Sequence, residues 1–453
     1  MSRRLLERAA LATLRRVPAL REAARSLHGA LVEQRELEAD IPELTPLVAR
    51  PSEIGALRIN LLLPGASARH VFGGAATALR LMETLGAGLP QRVLVTDEAA
   101  LEALDAVRFA GWQVRSAAEP DSLAPALVPL GDRAHATLPV GAGDRFIATA
   151  WWTAHHARSL VRWQRDAFGL SAAQPFVYLV QDYEPGFYPW SARHVLAMQT
   201  YGFAEPVLGV FNTSSLHRYF RGRGHALAAE YVFEPVLNPE LAARLPSPGG
   251  APRQRQLLVY GRPATPRNGF ALIAGGLRRW VAEDPAAARW RMLSLGERHP
   301  DLDLGRAPGA SESLRLESLG KVPLEHYAQL MRESAIGLAL MLSPHPSYPP
   351  LEMAAFGMRA ITNRFEGKAL AGEHPNVVDL AWPDPESIAG ALAQAAGDFE
   401  AHLQAPQARP WSEPPGAFVR EDTPFPFRDL LCARWLGADA QLARGGADLQ
   451  RGG

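Results

Sequence analysis

Three turns in the second half of the chain carry residues able to grip a diphosphate. Arg262 stands in YGRPATPRN, Lys321 in SLGKVPLEHY and Glu352 in SPHPSYPPLEMAAFGM. Each follows a run of strand character and precedes a helical pattern, which is where open α/β sheets hold ligands. A guanidinium takes phosphate oxygens two at a time. An ammonium neutralises charge developing on a leaving diphosphate. Glu352 falls in the first turn of its helix, where Pro349 or Pro350 lacks only an N–H that has no helical partner. Its carboxylate could accept hydrogen bonds from sugar hydroxyls or simply oppose the helix dipole. Backbone N–H groups at that helix start would also favour a diphosphate. Singly, Arg262 and Lys321 could be surface residues. Together, three turns on one sheet edge point to an anion pocket. Lys321 and Lys368 are the only lysines among 47 basic residues, as a GC-rich bacterial coding bias would leave them. The Gly-x4-Gly-Lys-[Ser/Thr] spacing of a P-loop is missing.

The first half offers weaker candidates. HVFGGAATAL places His70, Gly73 and Gly74 just before a helix, where adjacent glycines let a substrate approach the backbone. QDYEPGFYPW sets Asp182 and Glu184 among Tyr183, Phe187, Tyr188 and Trp190. Carboxylates among aromatic rings suit a sugar-binding surface, or a loop packed on the core. Asp301 and Asp303 form an Asp-x-Asp with no further clear ligand nearby, and no metal is expected. His155 and His156 lack metal spacing to a partner. Gly141 and Gly143 precede a strand and read as a turn.

These residues need a scaffold of strand ends. RINLLLP (58–64), RVLVT (92–96), RFIATAWWTA (145–154), FVYLVQDYE (176–184) and PVLGVFNTS (206–214) read as strands separated by helices. Apolar runs without alternation indicate a parallel sheet covered on both faces. LPSPGGAPRQRQ (245–256) is the candidate linker. Beyond it QLLVYG, RMLSLG, LRLESLG, AIGLALML, RAITN and NVVDL repeat the pattern. The expected fold is α/β, with two doubly wound Rossmann-like domains facing a cleft. A helical extension is expected over 1–50, the first domain over 51–245, the second over 256–408 and a C-terminal segment over 409–453. Residues 1–37 suit a broken helix, with Leu6, Ala10, Leu14 and Val17 on one face. It could pack on the first domain or rest on anionic lipid.

Bulk composition narrows the function classes. With 47 basic and 47 acidic residues there is no global basic field for nucleic acid. The single cysteine, Cys432, permits no internal disulfide. No apolar run reaches the ~18 residues of a membrane-spanning helix, and no secretory signal is read. A cytoplasmic protein is expected, with peripheral contact at the inner membrane face as an option. A closing binding protein would also suit two facing sheets, but such proteins are usually exported.

At these motifs the chain resembles the WsaF-type rhamnosyltransferases of glycosyltransferase family 4. INLLLPGASARHVFGGAATAL, YLVQDYEPGFYPW, VFNTSSL, LVYGRPATPRN, LSLGE, SLGKVPLEHYAQLMRES and MLSPHPSYPPLEMAAFGMRAITN carry the resemblance, in order from about residue 59 to 363. It implies a GT-B fold, with the donor, dTDP-β-L-rhamnose, in the second domain and a glycan or lipid-linked glycan acceptor in the first. Arg262 and Lys321 would hold the diphosphate, and Tyr348, Glu352 and Gly296 would complete the donor site; Asp182 or Glu184 could orient the acceptor. The wider family places a further glutamate eight residues before the second; that position is Pro344 here. The last helix would cross back to the first domain. A UDP- or GDP-hexose donor, or a non-catalytic glycan-binding subunit, are the alternatives.

Overall fold

The computed structural model describes residues 41–67, 73–102, 104–246, 252–406, 411, 418 and 425–437. The helix expected over 1–37 and the candidate His70 lie outside these residues. Pro42–Leu44 form a 3-10 turn. Residues 47–453 make one compact unit.

The first domain holds β1 (Val48–Pro51), β2 (Arg58–Leu63), α1 (Gly74–Leu85), β3 (Gln91–Val95), β4 (Gln113–Val114), β5 (Ala126–Pro129), β6 (Thr137–Val140), β7 (Asp144–Ala148), α2 (Trp151–Phe168), β8 (Phe176–Val180), α3 (Ala192–Gln199), β9 (Val207–Asn212), α4 (Ser214–Gly222) and β10 (Ala229–Phe233). Its sheet runs β10-β9-β8-β7-β2-β3-β5-β4, and β1 pairs separately with β6. All of these pairings are parallel. Every residue of β2, β8 and β9 is buried, so both faces are covered, as continuous apolar runs require. Successive side chains point to opposite faces. Leu61 thus packs with Met82 in one core, and Leu62 with Phe146 and Leu160 in another. Each fully buried leucine contributes roughly 1.5–3 kcal/mol.

The second domain follows as α5 (Pro239–Ala242), β11 (Gln254–Gly261), α6 (Phe270–Glu283), β12 (Arg291–Gly296), β13 (Leu302–Gly305), β14 (Leu314–Gly320), α7 (Leu324–Glu333), β15 (Ser334–Leu338), α8 (Pro349–Ala355), β16 (Arg359–Asn363), β17 (Val377–Leu380) and α9 (Pro385–Gln404). Its strand order is β13-β14-β12-β11-β15-β16-β17, parallel except for the β13–β14 pair. One face packs under α6 and α9, with Leu257, Ile273, Ile388 and Phe399. The other packs under α7 and α8, with Leu258, Met331, Met353 and Phe356.

The chain then returns to the first domain. Helix α10 (Arg428–Leu436) places Leu431, Cys432, Trp435 and Leu436 in the core that holds Ile59 and Leu61. The Trp435 indole N–H donates to the Pro175 carbonyl, 3.1 Å away.

Two boundaries differ from the sequence pattern. The apolar run 145–154 suggests a strand, yet α2 already begins at Trp151. The Thr153 hydroxyl accepts the N–H groups of Thr149 and Ala150, both at 2.8 Å, and so stops the strand. Likewise β15 ends at Leu338, within the apolar run 335–342. There the Asn363 side chain bonds both the N–H and the carbonyl of Met341, in place of a strand ladder.

Candidate functional site

The carboxyl ends of both sheets open onto one cavity of about 890 Å³. Its first-domain wall comes from Pro64 after β2, Gly73 and Gly74 opening α1, Asp97 and Glu98 after β3, Thr149 after β7 and Gln181 after β8. Its second-domain wall comes from Tyr260 and Arg262 at the end of β11, Gly296 and Glu297 at the end of β12, Lys321 after β14 and Tyr327 of α7.

The cationic side is built on neighbouring strands. β12 lies between β11 and β14, so the turns bearing Arg262, Glu297 and Lys321 emerge side by side. Gly296 has φ +110°, and a Cβ there would lie 3.0 Å from the Arg262 Cγ. Only glycine lets the arginine stem cross that strand end. The Arg262 Nε donates to the Glu297 Oε1 at 3.2 Å. Lys321 faces the same space.

Glu352 and Tyr348 stand one layer behind. Tyr327, on the wall, donates its hydroxyl to the Glu352 Oε2 at 2.8 Å. Burial pushes the Glu352 carboxyl up to about 7, against the pull of that hydrogen bond. The Tyr348 hydroxyl accepts from the Asn212 Nδ2 of the first domain at 3.2 Å. The start of α8 is a correction to the sequence reading. It opens on Pro349 and Pro350, which lack N–H groups, and the Glu352 N–H donates to the Tyr348 carbonyl. A seven-residue helix that opens on two prolines offers few donors to a diphosphate.

On the first-domain side Gly73 and Gly74 stand at the cavity. Gly73 has φ +46°, and a Cβ on Gly74 would lie 2.6 Å from the Gln181 Oε1. A side chain at Gly74 would displace Gln181 from the wall. The segment 182–184 is a second correction, because it turns away from the cavity. Asp182 is 7% exposed; its Oδ1 accepts the Tyr183 N–H, and its Oδ2 lies 3.5 Å from the Arg267 Nε of the second domain. Burial raises the Asp182 carboxyl, opposed by Arg267, the Tyr183 N–H, Ser343 and Lys368. Arg267 also lies over the Phe187 ring, 4.3 Å from its centre. Asp182 is thus the first domain's half of a contact between domains. The Tyr183 ring packs among Tyr201 and Tyr219, with its hydroxyl 3.1 Å from the His225 Nε2. Glu184 caps α2: its Oε2 accepts the Trp151 N–H at 2.8 Å and its Oε1 the Tyr178 hydroxyl at 3.1 Å. Burial lifts its carboxyl to about 7 despite both donors.

Asp301 and Asp303 accept backbone N–H groups of Ser318 and Gly305. Among the described residues no cluster of three metal-ligating side chains occurs.

Asp97, Glu98, Glu297 and Tyr327 line the cavity without having stood out in the sequence. Glu98 accepts the N–H groups of Ala66 and Ser67 and so fixes the turn after β2. Asp97 accepts the Trp152 indole N–H at 3.2 Å. Asp97 and Glu297 share a usable signal, since each stands within two residues of a strand's end.

Two family models cover this architecture. Residues 58–214 match the one described as WsaF, N-terminal domain, and residues 255–393 the one described as WsaF, C-terminal domain. The O-antigen biosynthesis protein RfbC of Myxococcus xanthus is 32% identical over 268 residues. That match takes in 56% of this chain but spans only 18% of the relative. Among solved structures, WaaG, a glycosyltransferase involved in lipopolysaccharide biosynthesis, aligns with TM-score 0.52 at 13% identity, over 84% of this chain and 100% of its own. Sucrose-phosphate synthase from Thermosynechococcus elongatus gives 0.52 at 13%, over 87% and 98%. Anabaena HepE in complex with UDP-glucose gives 0.51 at 12%, over 86% and 99%. At such identities the likeness is one of fold, the paired Rossmann-like domains of the GT-B type.

Proposed function

Since the chain belongs to the WsaF family of GT-B glycosyltransferases, we propose that it moves L-rhamnose from dTDP-β-L-rhamnose to a glycan acceptor, lipid-linked or not, in the synthesis of a surface polysaccharide or glycoprotein glycan. The donor's C1–O bond breaks as the diphosphate leaves, and the sugar takes on oxocarbenium character. The electron pair goes to the departing phosphate, where Arg262 and Lys321 neutralise it. An acceptor hydroxyl approaches from the first-domain wall, past Asp97, Gly74 and Gln181. Its proton passes to the departing phosphate, and the sugar keeps its anomeric configuration. Glu352, held by Tyr327, contacts the nucleotide side of the donor. No described helix is long and apolar enough to cross a membrane. The reading leaves membrane contact to the segment before residue 41.

The observation that carries this reading is the convergence of Arg262 and Lys321, from separate strand ends, on one cavity that the other domain closes. Calorimetric titration with dTDP, UDP and GDP tests the donor, and dTDP is expected to bind tightest. Incubation with dTDP-rhamnose and candidate acceptors, read by mass spectrometry, tests the transfer. Tighter binding of UDP or GDP would reassign the donor, and no binding of any of the three would refute the reading.

A further inference from the structure

Glu297 is an unexpected residue in a pocket meant for a diphosphate. It lines the cavity beside Arg262 and Lys321, where a carboxylate repels the ligand. Burial pushes its carboxyl up, but the Ala264 N–H, the Thr265 hydroxyl and Arg262 together draw it down further, so it is charged. Its contacts account for its presence. Oε1 accepts from the Arg262 Nε at 3.2 Å and from the Thr265 hydroxyl at 3.0 Å, and Oε2 accepts the Ala264 N–H at 2.8 Å. Its own N–H donates to the Gly261 carbonyl at 3.0 Å. One carboxylate therefore ties the end of β12 to the whole turn that carries Arg262. Because it occupies the Nε edge of the guanidinium, the terminal nitrogens are left as the part able to fork a phosphate.

We propose that Glu297 is the positioning residue of the leaving-group site, holding Arg262 so that its terminal nitrogens meet the donor's diphosphate. The inference rests on the glycosyltransferase reading above. An arginine side chain on a cavity wall samples many rotamers unless something fixes it. Glu297 fixes it before the donor arrives, so that little reorganisation is left for the transition state. The arrangement has a signature that simple damage to the fold would not produce. Removing Glu297 removes a like charge beside the nucleotide while leaving Arg262 unheld. Ground-state binding then stays level or tightens, and turnover falls.

The test is a double-mutant cycle on Glu297→Ala and Arg262→Ala, read as kcat for dTDP release from dTDP-rhamnose and as the Kd of dTDP. Glu297→Ala should lower kcat by about 10- to 100-fold, with the dTDP Kd unchanged or lower. Glu297→Gln keeps an acceptor for Arg262 and Thr265 and should restore most of the rate. In the Arg262→Ala background, Glu297→Ala should add less than about twofold, since coupled residues are not additive. Full kcat in Glu297→Ala, or an equal loss with and without Arg262, would overturn the inference while leaving the transferase reading intact. If the wild-type chain bound no nucleotide diphosphate, both would fall together.

Discussion

The loop after β8 and the turn that opens α8 each place a glutamate whose carboxyl burial lifts to about 7. The two regions nevertheless differ in kind. Glu184 is 5% exposed, and its oxygens are engaged by Trp151 and Tyr178 within the first domain. One of its oxygens caps the start of a helix. Glu352 is half-buried, and its Oε2 accepts from the hydroxyl of Tyr327, which itself stands on the cavity wall. The same perturbation therefore marks a structural cap in one domain and a residue next to the ligand space in the other. A raised carboxyl identifies function only when the cavity lies within one side chain's reach.

The contrast is sharpest if damage to the second-domain wall removes activity without stability. Lys321→Ala and Arg262→Ala should each cut transfer by about 10²–10³-fold, with an unchanged melting temperature. A fall in melting temperature that accounts for the lost activity would erase the distinction. Glu184→Gln should behave in the opposite way. It puts an amide where a helix N-terminus and a tyrosine hydroxyl both donate, at a cost of about 1–3 kcal/mol, measured by denaturant unfolding. Transfer per folded molecule should hold.

The smallest effect concerns pH. Both carboxyls titrate near 7 in the folded chain, above their ordinary 4.5, so folding favours their protonated forms. Their contribution to stability is full below pH 4.5 and is lost as the pH rises through about 7. Glu184→Gln should remove its share of that slope and leave nucleotide binding untouched. Glu352 should also tie ligand affinity to pH, because the 3′-hydroxyl of the deoxyribose donates best to the ionised form. The dTDP Kd should improve across pH 6–8 by roughly tenfold at most, and Glu352→Gln should flatten the dependence. A flat wild-type profile would remove Glu352 from the donor site.

Arg262 and Lys321 were legible because parallel strands appear as uninterrupted apolar runs, and the first polar residue beyond such a run lies at a sheet edge. Glu297 was legible by the same rule, as the residue after RMLSLG, but a carboxylate does not suggest a diphosphate pocket until its contacts are seen. The fate of Asp182–Glu184 was not legible. QDYEPGFYPW has the composition of a sugar-binding loop, and only the packing of Tyr201, Tyr219 and Arg267 turns it inward. The start of α8 misleads similarly, since the two prolines that announce the helix also strip it of donors. The strands β1, β4, β5, β6, β10 and β13 were missed because each is short and broken by a proline or a polar residue; β4 is exposed at both residues.

The return of α10 to the first domain has a consequence for synthesis on the ribosome. Cys432, Trp435 and Leu436 complete the core begun by Ile59 and Leu61. A nascent chain reaches them only after every strand of the second sheet has been made. The first domain to emerge is thus the last to be finished, and until then one flank of its sheet stays greasy and open to chaperones.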